Sequence, residues 1–497
     1  MNGPLCPRKR IRGEFGKKYS LTLEQIRDIA EEGSIIPIFR TLEAVYTPAS
    51  VYFSLRGREF LSPSFLLEGV EDGNKLGNFS YIGIAPRNGV ILKDGEASPD
   101  PLSVIQDQVS RRVVKIPGLP PFVGGYVGYL GYEVVNTFEP KIPVSNPDVL
   151  GVPDAMLFNY DHVIAFDRAK NQIKVIGNIS VAGDLEEQYQ RTTASIDEIV
   201  DRIQSQPPML MQKSEGFEHQ PAKSNFEHDK YLEAVERAKE YVSAGDVFQV
   251  VISQRFARKT DVEPFSLYRA LRMVNPSPFM AFFDYGDFQI IGASPELLLR
   301  VNDGTVTTNP IAGTRRVVES EEENQRLEKE LSHNEKEKAE HRMLVDLGRN
   351  DVGRVSVPGT VEVPHLMEIR RYSHVMHLAS EVRGKLSDQY TSLDALRSTF
   401  PAGTLSGAPK IRAMQIIDEL DPEKRGPYGG VMGYISYDGN LEMAITIRTI
   451  VFKGGVAYVQ AGGGIVYDSE PEAEFKETED KAKASMKAID LAEEGDI

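Results

Sequence analysis

The chain has 497 residues, 41% of them hydrophobic and 26% charged, with a net charge of −16. That acidity argues against nucleic acid or an anionic membrane surface as the main partner, and no apolar run approaches the ~18–20 residues that span a bilayer. The single cysteine, Cys6, excludes a disulfide framework, a Cys-rich zinc site and a cysteine nucleophile, and fits a cytoplasmic protein.

Residues 1–18 are basic, lack an apolar core and read as a flexible tail rather than a secretory signal. An N-terminal lobe over 19–203 contains "PFVGGYVGYLGYE" at 121–133. A Pro-, Gln- and Ser-rich linker or surface loop over 204–225 separates it from a second lobe over 226–494. The second lobe repeats the glycine-aromatic pattern as "PYGGVMGYISYD" at 427–438. Glycines spaced in this way on aromatic strands let another backbone approach closely, and two related halves packed together would explain the echo.

In "DKYLEAVERAKEYVSAGD" Leu232, Val235, Tyr241 and Val242 share one helical side, and Gly245 ends the helix. "VFQVVISQRFARK" then alternates as a strand, with Gln249, Ser253 and Arg255 on a face too polar for a core. Strands follow at 279–292 and 295–308. "NPIAGTRR" at 309–316 reads as a Gly-Thr turn flanked by arginines, a pocket for an anion. A helix over 319–346 carries Glu337, Glu340, His341 and Leu344 on one side. Helices at 391–400 and 408–420 bracket the loop "AGTLSGAP", whose free N–H groups make an anion seat. Strands at 428–437, 442–452 and 455–461 present Tyr428 and Arg448, and an arginine inside a strand implies a sheet edge or a bound anion. The glycine loop "QAGGGIVYDSEPE" leads into a helix at 473–493 bearing Glu474 and Glu477. Carboxylates from two helices, completed by water, suit Mg²⁺. Hairpins interrupted by helices without regular βαβ alternation give an α+β fold with antiparallel sheets. The residues point to a small polyanion such as a dicarboxylate, and do not name it.

Eight ordered blocks carry a resemblance: "FQVVISQR", "GASPELL", "PIAGTRR", "AEHRMLVDLGRNDVGRV", "YSHVMHLASEV", "GTLSGAPKIRAM", "GPYGGVMGY" and "QAGGGIVYDSEPEAEFKET". With them the chain resembles the chorismate-utilising enzymes, most closely their anthranilate synthase component I branch. The match covers about 226–493 and extends more loosely to the first lobe through "PSFLLEG" and "GGYVGYLGYE". The resemblance implies two intertwined lobes of antiparallel sheets packed together with helices outside. It implies that Glu340 and Glu477 hold Mg²⁺ against the ring carboxylate of chorismate. Tyr428, Arg448 and the backbone of Gly462, Gly463 and Gly464 would seat the enolpyruvyl carboxylate, and Gly313, Thr314 and Thr404 would line the ring. His377 resembles the catalytic histidine, with its neighbour His374 not catalytic. Glu296 resembles the acid that helps the C4 hydroxyl leave, and Glu337 is counted among the catalytic groups.

Two positions discriminate within the family. Aminodeoxychorismate synthases carry a nucleophilic lysine where this chain has Ala312, and isochorismate and salicylate synthases carry a water-activating lysine where it has Gln249. Neither alanine nor glutamine can take those roles, which leaves direct amination at C2. Ammonia then comes from a separate glutamine amidotransferase subunit, in a heterotetramer of two large and two small subunits. Glu68, Gly69, Pro278, Phe279 and Met280 resemble the site of feedback inhibition by L-tryptophan, with Glu68 taking the ammonium group. Gly69 replaces the family's serine. The rival outside enzymology is a degenerate tryptophan-sensing subunit, disfavoured because no catalytic position is lost.

Overall fold

The computed structural model describes residues 18–56, 63–69, 79–93, 100–205, 220–372 and 375–495. Cys6, most of the basic tail, residues 206–219 of the expected linker, and His374 lie outside the described residues.

The fold is α+β, built on two antiparallel sheets. The twelve-stranded sheet takes Ile35–Glu43, Gln172–Ser180, His162–Asp167, Phe79–Gly83 and Ser64–Glu68 from the first half of the chain. It continues through Phe279–Asp284, Phe288–Ser294, Thr449–Lys453, Val456–Ile465 and Gln249–Lys259 from the second, with two-residue strands at its end. The ten-stranded sheet likewise joins Asn88–Leu92, Ala155–Tyr160 and Gly125–Leu130 to Val431–Ser436, Leu441–Ile445, Leu297–Asn302, Thr305–Thr308, Val375–Lys385 and Ile311–Arg316. Both sheets are therefore continuous across the two halves.

Strand alternation builds the layers. Phe65 and Leu67 face an aromatic layer between the sheets, where Tyr81 of one sheet meets Tyr434 of the other at 5.9 Å between ring centroids. Leu66 faces the opposite way, into a second core with Phe265, Tyr268 and Leu271 of helix Pro264–Val274 and Ile489 of the last helix. The two echoing segments are paired neighbours, with Gly433 opposite Gly128. A Cβ on Gly433 would stand 2.0 Å from the Glu442 carbonyl oxygen, so only glycine permits that approach.

Several expected elements divide in the structure. The strand expected at 279–292 is a hairpin turning at Gly286, and that at 295–308 turns at Asp303–Gly304, with φ of 45° and 77° at the two central residues. The expected single helix over 319–346 is two, Glu321–His333 and Glu335–Gly353. Asn334 separates them: its extended ψ of 107° stops the first, and its side chain accepts from the N–H groups of Lys336 and Glu337 to cap the second. The expected Gly-Thr turn at 309–316 is a strand, Ile311–Arg316, with a bulge at Gly313. The long pairing of Glu362–Arg371 with Val375–Lys385 has no counterpart in the sequence reading.

Candidate active site

The chain crosses from one sheet to the other twice near the same place. Glu296 lies at one crossing, between Phe288–Ser294 and Leu297–Asn302. Arg448 lies at the other, with a left-handed φ of 52° between Leu441–Ile445 and Thr449–Lys453. The crossings are tied together, because the Ile445 N–H donates to the Glu296 carbonyl.

The Glu296 side chain is buried, and its oxygens accept from the Thr404 hydroxyl at 3.2 and 3.4 Å. Burial pushes the carboxyl up to about 8, with the Thr404 hydrogen bond pulling weakly the other way. At neutral pH Glu296 therefore carries a proton. Thr404 is set by the 3₁₀ turn Gly403–Leu405, and the Leu405 carbonyl accepts from the buried Arg425 guanidinium at 2.6 Å.

His377 stands opposite Thr314 across the bulged strand pair. Its Nδ1 lies 3.0 Å from the Thr314 hydroxyl and 3.1 Å from the Gly313 carbonyl. A carbonyl only accepts, so Nδ1 carries the hydrogen and Nε2 the lone pair. Burial lowers the His377 pKa, the Gly313 hydrogen bond opposes this, and Arg448 lowers it further, so the ring is neutral. The bulge requires glycine: Gly313 has φ of 60°, and a Cβ there would meet Leu331 at 2.7 Å and a Glu337 carboxylate oxygen at 2.8 Å.

The residues expected to seat a carboxylate lie along or beside the strand Val456–Ile465. A Cβ on Gly462 would lie 2.9 Å from the Tyr428 hydroxyl, on Gly463 2.8 Å from Glu474, and on Gly464 2.4 Å from the Gln249 amide. The three glycines thus leave room for the side chains of Tyr428, Glu474 and Gln249. Burial pushes Tyr428 up to about 12, so it remains a hydroxyl donor. Burial lowers Arg448, while Tyr428 and Glu477 raise it, and its guanidinium donates to the Lys481 carbonyl at 2.6 Å.

Glu340, from helix Glu335–Gly353, faces Glu477, from helix Pro471–Glu494. Burial raises the Glu340 pKa, and the nearby Glu337 and Glu477 carboxylates raise it further against Lys481. Lys481, missed by the sequence reading, bridges Glu477 at 2.6 Å and the Gly462 carbonyl at 2.9 Å. Its position one helical turn beyond Glu477 was the available signal. Among the described residues no group of three or more His, Cys, Asp or Glu side chains is placed to hold a metal ion. A divalent ion here would rest on two carboxylates and complete its shell with water or substrate oxygens, which is how Mg²⁺ commonly binds. The half-buried Glu340 and the exposed Glu477, close enough for their like charges to perturb one another, fit such an ion.

The structure gives two expected residues further partners. Glu337, expected to be catalytic, accepts from Arg315 at 3.3 Å and lies against the bare Cα of Gly313, itself expected to line the ring. The Glu68 carboxylate, expected to receive an effector ammonium, is fully buried and accepts from the Tyr268 hydroxyl at 2.5 Å, with Arg272 at 3.2 Å. Alternation explains it: Leu67 faces the space between the sheets, so Glu68 faces the helices.

The other effector expectations meet in one place. A cavity of about 390 Å³ between the sheets is lined by Glu68, Gly69, Pro278, Phe279 and Met280, together with Tyr81 and Tyr434. The Met280 side chain also joins the helix-side core. The cavity also holds an ion pair that the sequence reading missed, Arg300 with Glu442, whose Nε–Oε2 distance is 2.6 Å. An arginine in "LLLRV" and a glutamate in "NLEMAI", each inside an apolar strand, were its signal.

The family described as chorismate binding enzyme matches residues 62–487. Anthranilate synthase component 1 of Acetivibrio thermocellus is 45% identical, with 95% of this chain and 99% of that protein covered. The Pseudomonas aeruginosa protein of the same name is 44% identical at 95% and 99% coverage. The crystal structure of anthranilate synthase component I from Streptococcus pneumoniae superposes with a TM-score of 0.75 at 37% identity, covering 89% of this chain and 98% of that one. The menaquinone-specific isochorismate synthase of Escherichia coli shares the fold, with a TM-score of 0.69 at 17% identity and coverage of 94% and 98%.

Proposed function

The chain belongs to the chorismate-binding enzymes, and from that premise we propose that it is the synthase subunit that converts chorismate and ammonia to anthranilate and pyruvate. The observation that carries this reading within the family is the pair of residues at the two discriminating positions. Gln249 is buried against Gly464, and Ala312 is buried one bulge away from Thr314. Neither offers an amine nucleophile or a base, so these two positions supply no lysine to activate water or to relay nitrogen covalently.

The remaining groups have defined tasks. Arg448 and Tyr428 bind the enolpyruvyl carboxylate, assisted by N–H groups of the glycine strand. Glu296, protonated by virtue of its burial, gives its proton to the C4 hydroxyl, which leaves as water while ammonia bonds to C2. His377, with Nδ1 committed to the Gly313 carbonyl, uses Nε2 for the proton transfers that accompany amination and loss of pyruvate. Mg²⁺, when bound by Glu340 and Glu477, supplies positive charge for the ring carboxylate. Ammonia comes from a separate glutamine amidotransferase subunit, in an assembly of two large and two small subunits. Among the described residues no helix is long and apolar enough to cross a membrane, and we place the enzyme in the cytoplasm.

The cavity between the sheets is the effector site for L-tryptophan. Phe279, Pro278 and Tyr434 offer an apolar wall for the indole, and burying a ring of ~200 Å² contributes about 5 kcal/mol. Glu442 and Arg300 receive the ammonium and carboxylate in place of Glu68. Tryptophan and chorismate then compete by favouring different relative settings of the sheets. The reading is tested by incubating the purified chain with chorismate, Mg²⁺ and ammonium and following anthranilate fluorescence, with no signal under saturating substrates counting against it.

A further inference from the structure

A second, smaller cavity of about 40 Å³ touches the reaction centre from another side. Its lining shares only Glu296 and Thr404 with the proposed substrate site; Gly313, Thr314, His377, Tyr428, Arg448 and Gly462–Gly464 are all absent from it. The remaining wall is apolar apart from Thr308, Asp351 and Thr399, and the Thr399 hydroxyl is committed to the Ala395 and Leu396 carbonyls. One water needs ~10–15 Å³ and two to four polar partners, and Glu296, Thr404, Thr308 and Asp351 meet that requirement. Asp351 is buried beside Lys410, whose ammonium lies 2.8 Å from its carboxylate and 2.9 Å from the Thr399 carbonyl. The Lys410 side chain keeps 13% exposure and so joins Asp351 to solvent.

Among the described residues the Glu296 carboxyl has one hydrogen-bond partner, the Thr404 hydroxyl. Once it has protonated the leaving hydroxyl it is a buried carboxylate, and burial strongly disfavours that state. Product or substrate would fill the side facing His377 and Arg448. We propose that the 40 Å³ cavity is a water-filled proton-return route to Glu296, in which Thr308 and Asp351 are positioning residues for the water chain. This rests on Glu296 being the general acid.

The protons balance. Glu296 loses one proton as the C4–O bond breaks and water departs. The cavity water gives one to the Glu296 carboxylate and regains one through Asp351 from solvent. The ammonia nitrogen releases one proton after the C2–N bond forms, so turnover consumes no external acid.

Two variants test the route in the full chain with ammonium as nitrogen source. Thr308→Val keeps the shape of the wall and removes its hydroxyl. Asp351→Asn removes the outer carboxylate. Each is expected to lower kcat by about ten-fold with KM for chorismate little changed. The solvent deuterium isotope effect on kcat should rise, and imidazolium buffer should restore rate to the variants while leaving the parent unaffected. Should Asp351→Asn fail to fold because Lys410 loses its partner, Thr308→Val carries the test alone. Parental kcat and isotope effect in Thr308→Val would overturn the route, as would a loss of kcat that buffer does not restore. An active Glu296→Gln enzyme would instead overturn the assignment of the acid itself, which separates the two failures.

Discussion

Replacing Glu296 with glutamine should make the enzyme nearly inactive and, at alkaline pH, more stable. The carboxyl sits among buried neighbours, and among the described residues only Thr404 is bonded to it. Glutamine keeps the volume and can still accept from Thr404, so packing is preserved. General acid catalysis contributes about 10²–10⁴-fold, and kcat should fall within that range. The folded protein holds the Glu296 proton up to about 8, whereas an ordinary solvated glutamate releases it near 4.5. Its contribution to stability is therefore fully present below about pH 4.5 and is lost as pH rises through about 8. At ~1.36 kcal/mol per pH unit the whole interval corresponds to an upper limit of about 5 kcal/mol. Glutamine does not titrate, so the variant escapes this loss. Thermal unfolding at pH 6 and pH 9 should show the parent losing more stability than Glu296→Gln across that interval. Parent activity should fall as pH rises through about 8, because the acid form is the active one. A Glu296→Gln enzyme with parental kcat, or equal pH dependence of unfolding in both proteins, would refute the reasoning.

Other substitutions probe the rest of the site. Ala312→Lys places a long cation in a buried position beside the bulge and should lower anthranilate formation at least about ten-fold, a factor of ten for each ~1.4 kcal/mol of transition-state stabilisation lost; undiminished output by chromatography would show that position 312 does not face substrate. Glu340→Gln and Glu477→Gln should each weaken Mg²⁺ binding, measured by calorimetry, and activity at limiting Mg²⁺ should fall in parallel. A variant with parental Mg²⁺ affinity is not altered at a ligand. Arg300→Leu should weaken tryptophan inhibition about 10–100-fold through loss of a charged hydrogen bond, whereas Gly69→Ser should tighten it by at most about ten-fold; unchanged inhibition in both would remove the ligand from this cavity.

What was legible in the sequence was the local pattern. The alternation in "VFQVVISQRFARK" placed Gln249 on a polar face, and the structure packs that amide against Gly464. Tyr428 and Arg448 read as strand residues aimed at one carboxylate, and in the structure Lys481 links Arg448 to Gly462, which lies against the Tyr428 hydroxyl. What failed depends on contacts distant in sequence or on a single residue's backbone. Asn334 breaks a helix that periodicity alone would continue. Gly313 turns an apparent loop into a bulged strand because its partner, Val375–Lys385, lies some sixty residues away. Glu68 belongs to a strand whose two faces are both covered, so composition could not tell which face its carboxylate would take. The Arg300–Glu442 pair forms across neighbouring strands and has meaning only once Leu297–Asn302 and Leu441–Ile445 are paired.

The most direct measurement is the product spectrum of the isolated chain. Purified protein is incubated with chorismate, Mg²⁺ and ammonium, and the products are separated by chromatography with pyruvate assayed enzymatically. The account predicts anthranilate and pyruvate in equal amounts, no isochorismate or salicylate, and no 4-amino intermediate. Accumulation of isochorismate, salicylate or 4-amino-4-deoxychorismate in place of anthranilate would contradict it.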